Sequence, residues 1–196
     1  MKNIFKTLLL GFVLIGISSC QESDLQIDTL YDEVDLSGAV LRILDYPSDL
    51  VDNQGEIRPA SVDFLTEVQQ GDGSFTPEFV EVRVYVSVFY DQDTTEPLLD
   101  EQGNVLAETL VQTLPSSAFD ELSETNQLPM ALISYTTASL HETFASGVFG
   151  SVNFIVTRFE LEMNDGRVWT DTNAGTALSG PYFEAPFTHK TIYLNN

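Results

Sequence analysis

The strongest constraint on the fold is a run of alternating apolar residues in the middle of the chain. Between residues 80 and 88, valine occupies every second position and mostly polar side chains lie between. Successive side chains of a β-strand point to opposite faces, so a period of two predicts a strand with one apolar face. The same alternation occurs in 62–68 and 159–163. The pattern predicts stacked sheets.

Turn signals separate further short apolar segments. Asn164-Asp165-Gly166 is a strong hairpin signal, because Asp-Gly accommodates the backbone of a tight turn. Helix is minor: 117–120 and 139–142 each match a capping box, and Gly147 is expected to end the second helix. Additional strands are predicted at 39–46, 105–113, 130–137, 167–172 and 186–194. We therefore predict an all-β fold, an immunoglobulin-like antiparallel β-sandwich of seven or eight strands with one or two short helices.

The N-terminal residues have the layout of an export signal. Two lysines precede the apolar run 8–17, and two serines follow it, as in a secretory signal peptide. The run is too short for a bilayer-spanning helix, which needs about 20 residues. The chain's single cysteine, Cys20, comes next. A lone cysteine in an exported chain usually needs a partner or a chemical role.

The four residues that end in this cysteine, ISSC (17–20), resemble the bacterial lipobox. In lipobox proteins the cysteine sulfur receives a diacylglycerol and the leader is cleaved before it. The resemblance implies a cleaved signal peptide at 1–19 and a covalent lipid on Cys20, which anchors the chain without a transmembrane helix. An ordinary signal peptide followed by an incidental cysteine is the alternative. No other cofactor is expected.

Six acidic residues make the next segment too polar to pack, so 20–35 is predicted to be a flexible tether. Removal of 1–19 leaves six basic and thirty acidic residues, a net charge of −24. Such a surface repels phosphate backbones and disfavours nucleic-acid binding. Acidic residues after a lipidated cysteine are similar to the surface-export signal of Bacteroidota lipoproteins, with Glu22 and Asp24 in that role. We expect an outer-membrane, lipid-anchored protein that faces the cell exterior.

The remainder, 36–196, is long enough for one domain with a core. Its blocks SGAVLRIL (37–44), EVRVYVSVF (81–89), LVQTLPSSAF (110–119), LPMALISYT (128–136), FELEMNDGRVWTDTNAG (159–175) and GPYFEAPFT (180–188) look like those of a group of Bacteroidota surface lipoproteins. The resemblance implies a cell-surface sandwich domain of an outer-membrane nutrient-uptake or assembly system. It implies no catalytic residues. The long 90–104 stretch departs from the group's pattern.

Residues with catalytic or metal-binding patterns are scarce. His141 and His189 stand alone, and no serine, cysteine or glycine-rich motif of known catalysis is present. The stretch 91–96 has alternate oxygen-bearing side chains, as in a calcium loop, but lacks the central glycine. A solvated loop is expected, and calcium binding by 91–101 stays open. The sequence therefore predicts a non-enzymatic protein without a metal site.

Aromatic residues on one strand indicate a partner surface. Phe79, Tyr85 and Phe89 lie opposite the valines of 79–91, where a solvated face would be more polar. Either the connection 91–130 folds over this face, or a partner binds it. Trp169 joins this face if the 164–166 turn has two residues, and joins the core if it has three. We expect an accessory or protein-interaction module of a larger outer-membrane complex; a glycan- or peptide-binding module is the alternative.

Overall fold

The computed structural model describes residues 38–70, 78–173 and 187–196. All of them belong to one compact unit, Leu36–Asn196. The predicted signal peptide and tether, with Cys20, Glu22 and Asp24, lie outside the described residues. Among the described helices, none is long and apolar enough to span a membrane.

Strands dominate the structure, and short helical segments interrupt them. In the described ranges the α-helix is α1, Thr137–Phe144, and the 3₁₀ turns are Ser116–Ala118 and Ser146–Val148. The strands are β1 Ala39–Asp45, β2 Leu50–Asp52, β3 Ser61–Gln70, β4 Phe79–Phe89, β5 Thr109–Pro115, β6 Glu121–Leu122, β7 Pro129–Thr136, β8 Val152–Met163, β9 Val168–Trp169 and β10 Thr188–Leu194.

These strands form two sheets that pack face to face. The four-stranded sheet has the order β1-β3-β7-β6, and the six-stranded sheet has the order β2-β10-β8-β4-β5, with β9 paired to β8. The orders match the A-B-E-D and G-F-C-C′ sheets of immunoglobulin domains. The predicted sandwich is confirmed, with one refinement: β2 pairs parallel to β10, whereas the other described pairs are antiparallel.

The core lies between the two sheets, where the alternation predicts it. Val84 is fully buried. Across the core, the Phe64 ring of β3 meets the Phe159 ring of β8 edge to face, with centroids 5.0 Å apart, a favoured aromatic geometry. The predicted inward valines of β4 that the structure confirms as buried are Val82, Val84, Val86 and Val88.

One end of β4 departs from the predicted alternation. Phe79 pairs with Met163 and Glu81 pairs with Glu162, so Val80 is an extra residue that forms a β-bulge. The bulge turns Val80 outward, with 41% of its surface exposed, and turns Phe79 into the core. There the Phe79 ring packs edge to face on Phe119, 5.2 Å away. The prediction of an outward Phe79 and an inward Val80 was wrong.

The capping-box predictions were also wrong in position. Helix α1 begins at Thr137, because the Thr136 side chain accepts a hydrogen bond from the Ser139 backbone N–H at 3.1 Å. The helix ends at Phe144, and Ala145 has a φ of 64°, so the chain turns before Gly147. The segment 117–120 contains only the end of a 3₁₀ turn without a side-chain cap.

Candidate functional site

The outer face of the six-stranded sheet carries half-buried apolar side chains from several strands. Phe89 of β4 is directly opposite Phe154 of β8. Farther across the sheet, Phe154 is opposite Ile192 of β10, and Ile192 is opposite Leu50 of β2. Paired residues share one face of a sheet. These four half-buried side chains therefore form a continuous line across four strands, which we call the apolar row.

A cluster of ion pairs occupies the other end of this face. Arg83 donates to Glu81 at 2.7 Å and to Glu160 at 3.2 Å, and also pairs with Glu162. Arg158 donates from Nη1 to the second Glu160 oxygen at 2.8 Å. Glu160 therefore joins the two guanidinium groups. The ionic cluster consists of Arg83, Arg158, Glu81, Glu108, Glu160 and Glu162.

Arg158 connects the ionic cluster to an aromatic side chain. Its guanidinium carbon lies 4.5 Å from the centre of the Tyr85 ring, a cation–π geometry. The same guanidinium holds Glu108 through two hydrogen bonds of 2.9 and 2.6 Å, the planar fork arrangement typical of arginine and a carboxylate. Tyr85 is thereby held in one orientation between the ionic cluster and the apolar row.

Within the ionic cluster, neighbouring charges shift the pKa values of Arg158 and Glu160. The hydrogen bond to Glu108 is the main cause that raises the pKa of Arg158, which stays charged. Partial burial acts to raise the pKa of Glu160, but hydrogen bonds and charge attraction from Arg158, with a further bond from Arg83, outweigh it. The pKa of Glu160 is consequently lowered. Arg158 and Glu160 are therefore both ionised at neutral pH.

The connection 91–130 contributes β5 to this sheet and contacts the face at several points, including the bridge between Pro97 and Phe89. The Lys190 ammonium group on β10 donates to the Gln92 carbonyl at 2.8 Å, and Glu108 pairs with Arg158. Elsewhere the connection takes other positions: Leu98 is buried in the core, and β5 and β6 join the two sheets. The connection therefore lies beside the aromatic residues of this face.

Trp169 lies on the opposite side of the sheet from Tyr85. It pairs with Leu161, whose side chain is fully buried in the core. The turn has three residues, because the Met163 backbone N–H donates to the Arg167 carbonyl and Gly166 adopts a φ of 87°. Trp169 is half-buried against the core. Its assignment to the candidate partner face was therefore wrong.

The acidic loop 91–101 uses its carboxylates to fix its own backbone. Asp91 accepts from the backbone N–H groups of Thr95 and Glu96 at 2.9 and 2.7 Å. Asp100 accepts from Asn104 through the side chain at 2.9 Å and the backbone at 2.7 Å. These bonds outweigh desolvation and lower the pKa of both groups. In the described ranges, no group of three or more possible metal ligands is present.

Both histidines pack among aromatic rings. His141 of α1 hydrogen-bonds to the Tyr193 hydroxyl and lies 4.4 Å from the Phe149 ring. Burial lowers its pKa, so the imidazole is neutral at pH 7. His189 contacts the Phe64 and Tyr46 rings at 5.6 and 5.2 Å. These ring contacts are typical of histidines that pack as structural side chains.

Sequence reasoning identified Tyr85 and Phe89 but missed the rest of the face. Phe154 and Arg158 were overlooked, because β8 alternates in the sequence only over 159–163. Nearer its start, the buried positions 153 and 157 are polar and the outward positions 154 and 156 are apolar. Leu50 and Ile192 had no local signal, because their place on the face depends on the parallel pairing of β2.

Comparisons with protein-family models and with curated proteins found no match for this chain. No protein-family model matches the chain, and no curated protein matches it at a significant level. The fold and the outer face of the six-stranded sheet are therefore the basis of the functional argument.

Proposed function

We propose that this protein is a non-catalytic surface lipoprotein that acts as an accessory or protein-interaction module of an outer-membrane complex. The observation that carries the proposal is the apolar row on the outer face of a sheet whose inner face already supplies the core. Apolar side chains that are not needed for the core are typical of surfaces that bind another molecule. The complex would be a nutrient-uptake or assembly machinery.

The residues around the apolar row have the chemistry of protein interfaces. Tyrosine and arginine contribute more binding energy on average than other side chains. Tyr85 and Arg158 are already fixed against each other, with 4.5 Å between guanidinium and ring. A side chain ordered before binding loses less conformational entropy when a partner arrives. The face therefore combines apolar area with pre-ordered anchors.

The N-terminal residues support the proposed location. The lipobox-like ISSC (17–20) would place a lipid on Cys20, and the acidic tether with Glu22 and Asp24 would direct the protein to the exterior of the outer membrane. On this proposal, Cys20→Ser releases the protein from the membrane fraction. The tether would hold the sandwich near a membrane partner and raise its effective concentration.

The glycan-binding alternative needs an exposed aromatic platform. Trp169 was the candidate for that platform, and its ring is half-buried on the core side of the sheet. The apolar row is a line across a sheet face, which suits a protein surface better than a sugar ring held in a cleft. We therefore favour the protein-interaction module.

The test is co-purification from native membranes in mild detergent, followed by mass spectrometry. Tyr85→Ala combined with Phe89→Ala removes two aromatic anchors, and loss of the co-purifying membrane protein is expected. Leu44→Ala is the matched control, because Leu44 is an exposed residue of the other sheet. Melting curves establish that each variant is folded. A folded double variant that retains the same partner at the parental level contradicts the proposal.

A further inference from the structure

Within the part of the chain that the structure describes, one edge of β7 is unpaired along most of its length. In the four-stranded sheet β7 pairs with β3 from Ser61↔Thr136 to Glu67↔Met130. On its other side, the described residues that pair with it are those of β6, opposite Met130 and Pro129 alone. Among the described residues, the stretch 131–136 therefore has a hydrogen-bonded strand on one side, and β5 of the other sheet comes close to β7 without pairing with it.

The pairing with β3 determines which backbone groups point to this open edge. The Thr137 N–H donates to the Ala60 carbonyl at 2.8 Å. Hydrogen-bonded pairs alternate along an antiparallel ladder, so Tyr135 and Ile133 also bond to β3. The backbone N–H and C=O groups of the residues between them, Leu132 and Ser134, point away from β3.

Sheet proteins usually protect such an edge with a charge, a proline, a bulge or a very short strand. The edge strands of this protein have these features. Strand β5 has a bulge at Val111 and ends in Pro115. Strand β1 has a register shift near its end and contains Arg42 and Asp45. Strands β2 and β6 are three and two residues long.

The open stretch of β7 has none of these protections. Its sequence, ALISYT (131–136), contains no charged residue and no proline, and its pairing with β3 runs without a register shift. Leu132 is 59% exposed beside half-buried Leu65 of β3. An added strand could bond to the backbone of β7 and place an apolar side chain against these two leucines.

We propose that the β7 edge binds an extended, basic segment of a partner protein, which adds as a strand beside residues 131–136. The charge near the edge favours a basic occupant, because the nearby charged side chains include Asp63, opposite Ser134, and Glu121 at the β6 end. The whole chain has a net charge of −22. This surface is distinct from the outer face of the six-stranded sheet.

A second copy of the chain fits this edge less well. Two-fold pairing that uses the outward groups of Leu132 and Ser134 in both copies places Leu132 of one copy opposite Ser134 of the other. Residue 130 of one copy, where β6 already occupies the edge, then lies opposite residue 136 of the other. The approach also brings together two acidic chains. An extended segment brings neither obstacle.

The probe is a synthetic seven-residue peptide with lysine at each end and alternating threonine and valine between. Amide hydrogen exchange is measured on the purified full-length protein, with and without the peptide. The expected result is exchange at Leu132 and Ser134 slowed at least tenfold by the peptide, with Ile133 and Tyr135 slow throughout. A peptide N-methylated at alternate backbone amides, or one with terminal glutamates, is expected to lose at least fivefold in affinity.

The protein variants separate edge binding from general charge effects. Leu132→Lys places a charge on the open edge, as on other edge strands. It is expected to weaken binding of the peptide at least fivefold. Leu110→Lys is the matched control, because Leu110 is a 47% exposed leucine of the edge strand β5, and unchanged binding is expected. Should Leu132→Lys fail to fold, the N-methylated peptide tests the same hydrogen bonds.

Three results overturn the proposal. The first is the absence of peptide protection at Leu132 and Ser134. The second is equal binding of the parent peptide and its N-methylated form. The third is slow exchange at both residues without peptide, which would identify a second copy or another part of this chain as the occupant; sedimentation distinguishes those two.

Discussion

The two faces of the six-stranded sheet differ in how completely their apolar side chains are covered. On the inner face, Val84 and Phe159 are fully buried by the opposing sheet. On the outer face, Phe89 and Phe154 are a cross-strand pair as apolar as Val84 and Phe159, but both are only half-buried. The inner face is explained by folding alone. The outer face keeps apolar area that the opposing sheet does not cover, which is why we propose that a partner binds there.

The largest expected effect is on the inner face. Val84→Asp places an unpaired carboxylate in the core and is expected to lower the free energy of unfolding by roughly 3–5 kcal/mol. Chemical denaturation measures the change. Glu81→Lys on the outer face of the same strand is the control. A lysine there loses the pair with Arg83 but faces Glu162 directly, so a change of about 1 kcal/mol is expected at this partly exposed position. Equal destabilisation by the two variants would mean that the faces are assigned the wrong way round.

An intermediate effect is expected in the ionic cluster. Arg158→Ala removes the bonds to Glu108 and Glu160 and the contact with Tyr85. Because these groups are partly exposed, a loss of about 1 kcal/mol in unfolding free energy is expected. The loss should shrink in high salt, which screens the ion pairs. Arg167→Ala, which breaks a pair within one turn, should change the stability less. A salt-independent loss at Arg158 would assign its effect to packing alone.

The smallest expected effect is a pH dependence from Glu160. Its pKa is lowered in the folded protein from an ordinary value of 4.5, so the unfolded chain takes up this proton first as the pH falls. The stabilisation is fully present above pH 4.5 and is lost as the pH falls through the lowered pKa. Between pH 6 and 3, the unfolding free energy from denaturation curves should therefore decrease less steeply for Glu160→Gln than for the parent. Identical pH profiles would contradict the coupling with Arg158.

The fold was largely predictable because its strands carry strong local patterns. The valines of 82–88 and the alternation in 62–68 identify two core strands without knowledge of their partners. The bulge at Val80 was not predictable from β4 alone, since it arises where Phe79 and Glu81 pair with consecutive residues of β8. The start of helix α1 was predicted wrongly for a similar reason. Both Thr136 and Ser139 are suitable caps, and the end of β7 decides between them.

The candidate site was less predictable because it is assembled from distant parts of the chain. Leu50, Phe89, Phe154 and Ile192 come from four strands and become neighbours only through the register of three strand pairs. No local pattern encodes that register. Trp169 shows the same dependence, since one additional residue in the 164–166 turn transfers its ring from the outer face to the core side.

We propose that a partner in the membrane covers the outer face of the six-stranded sheet. Ser87→Cys tests this proposal most directly, because Ser87 lies opposite Val156, between Tyr85 and the apolar row. Cys20 is the chain's only natural cysteine, and its proposed lipid would block labelling there. Gln69→Cys, at an exposed position of the other sheet, is the matched control.

The measurement is the rate of labelling by a membrane-impermeant maleimide, on intact cells and on the detergent-purified full-length protein. We predict that Ser87→Cys reacts at least tenfold more slowly on cells than in the purified protein, whereas Gln69→Cys reacts at similar rates in both. Equal rates for Ser87→Cys in the two preparations, with Gln69→Cys labelled in both, would show an uncovered face and contradict the account.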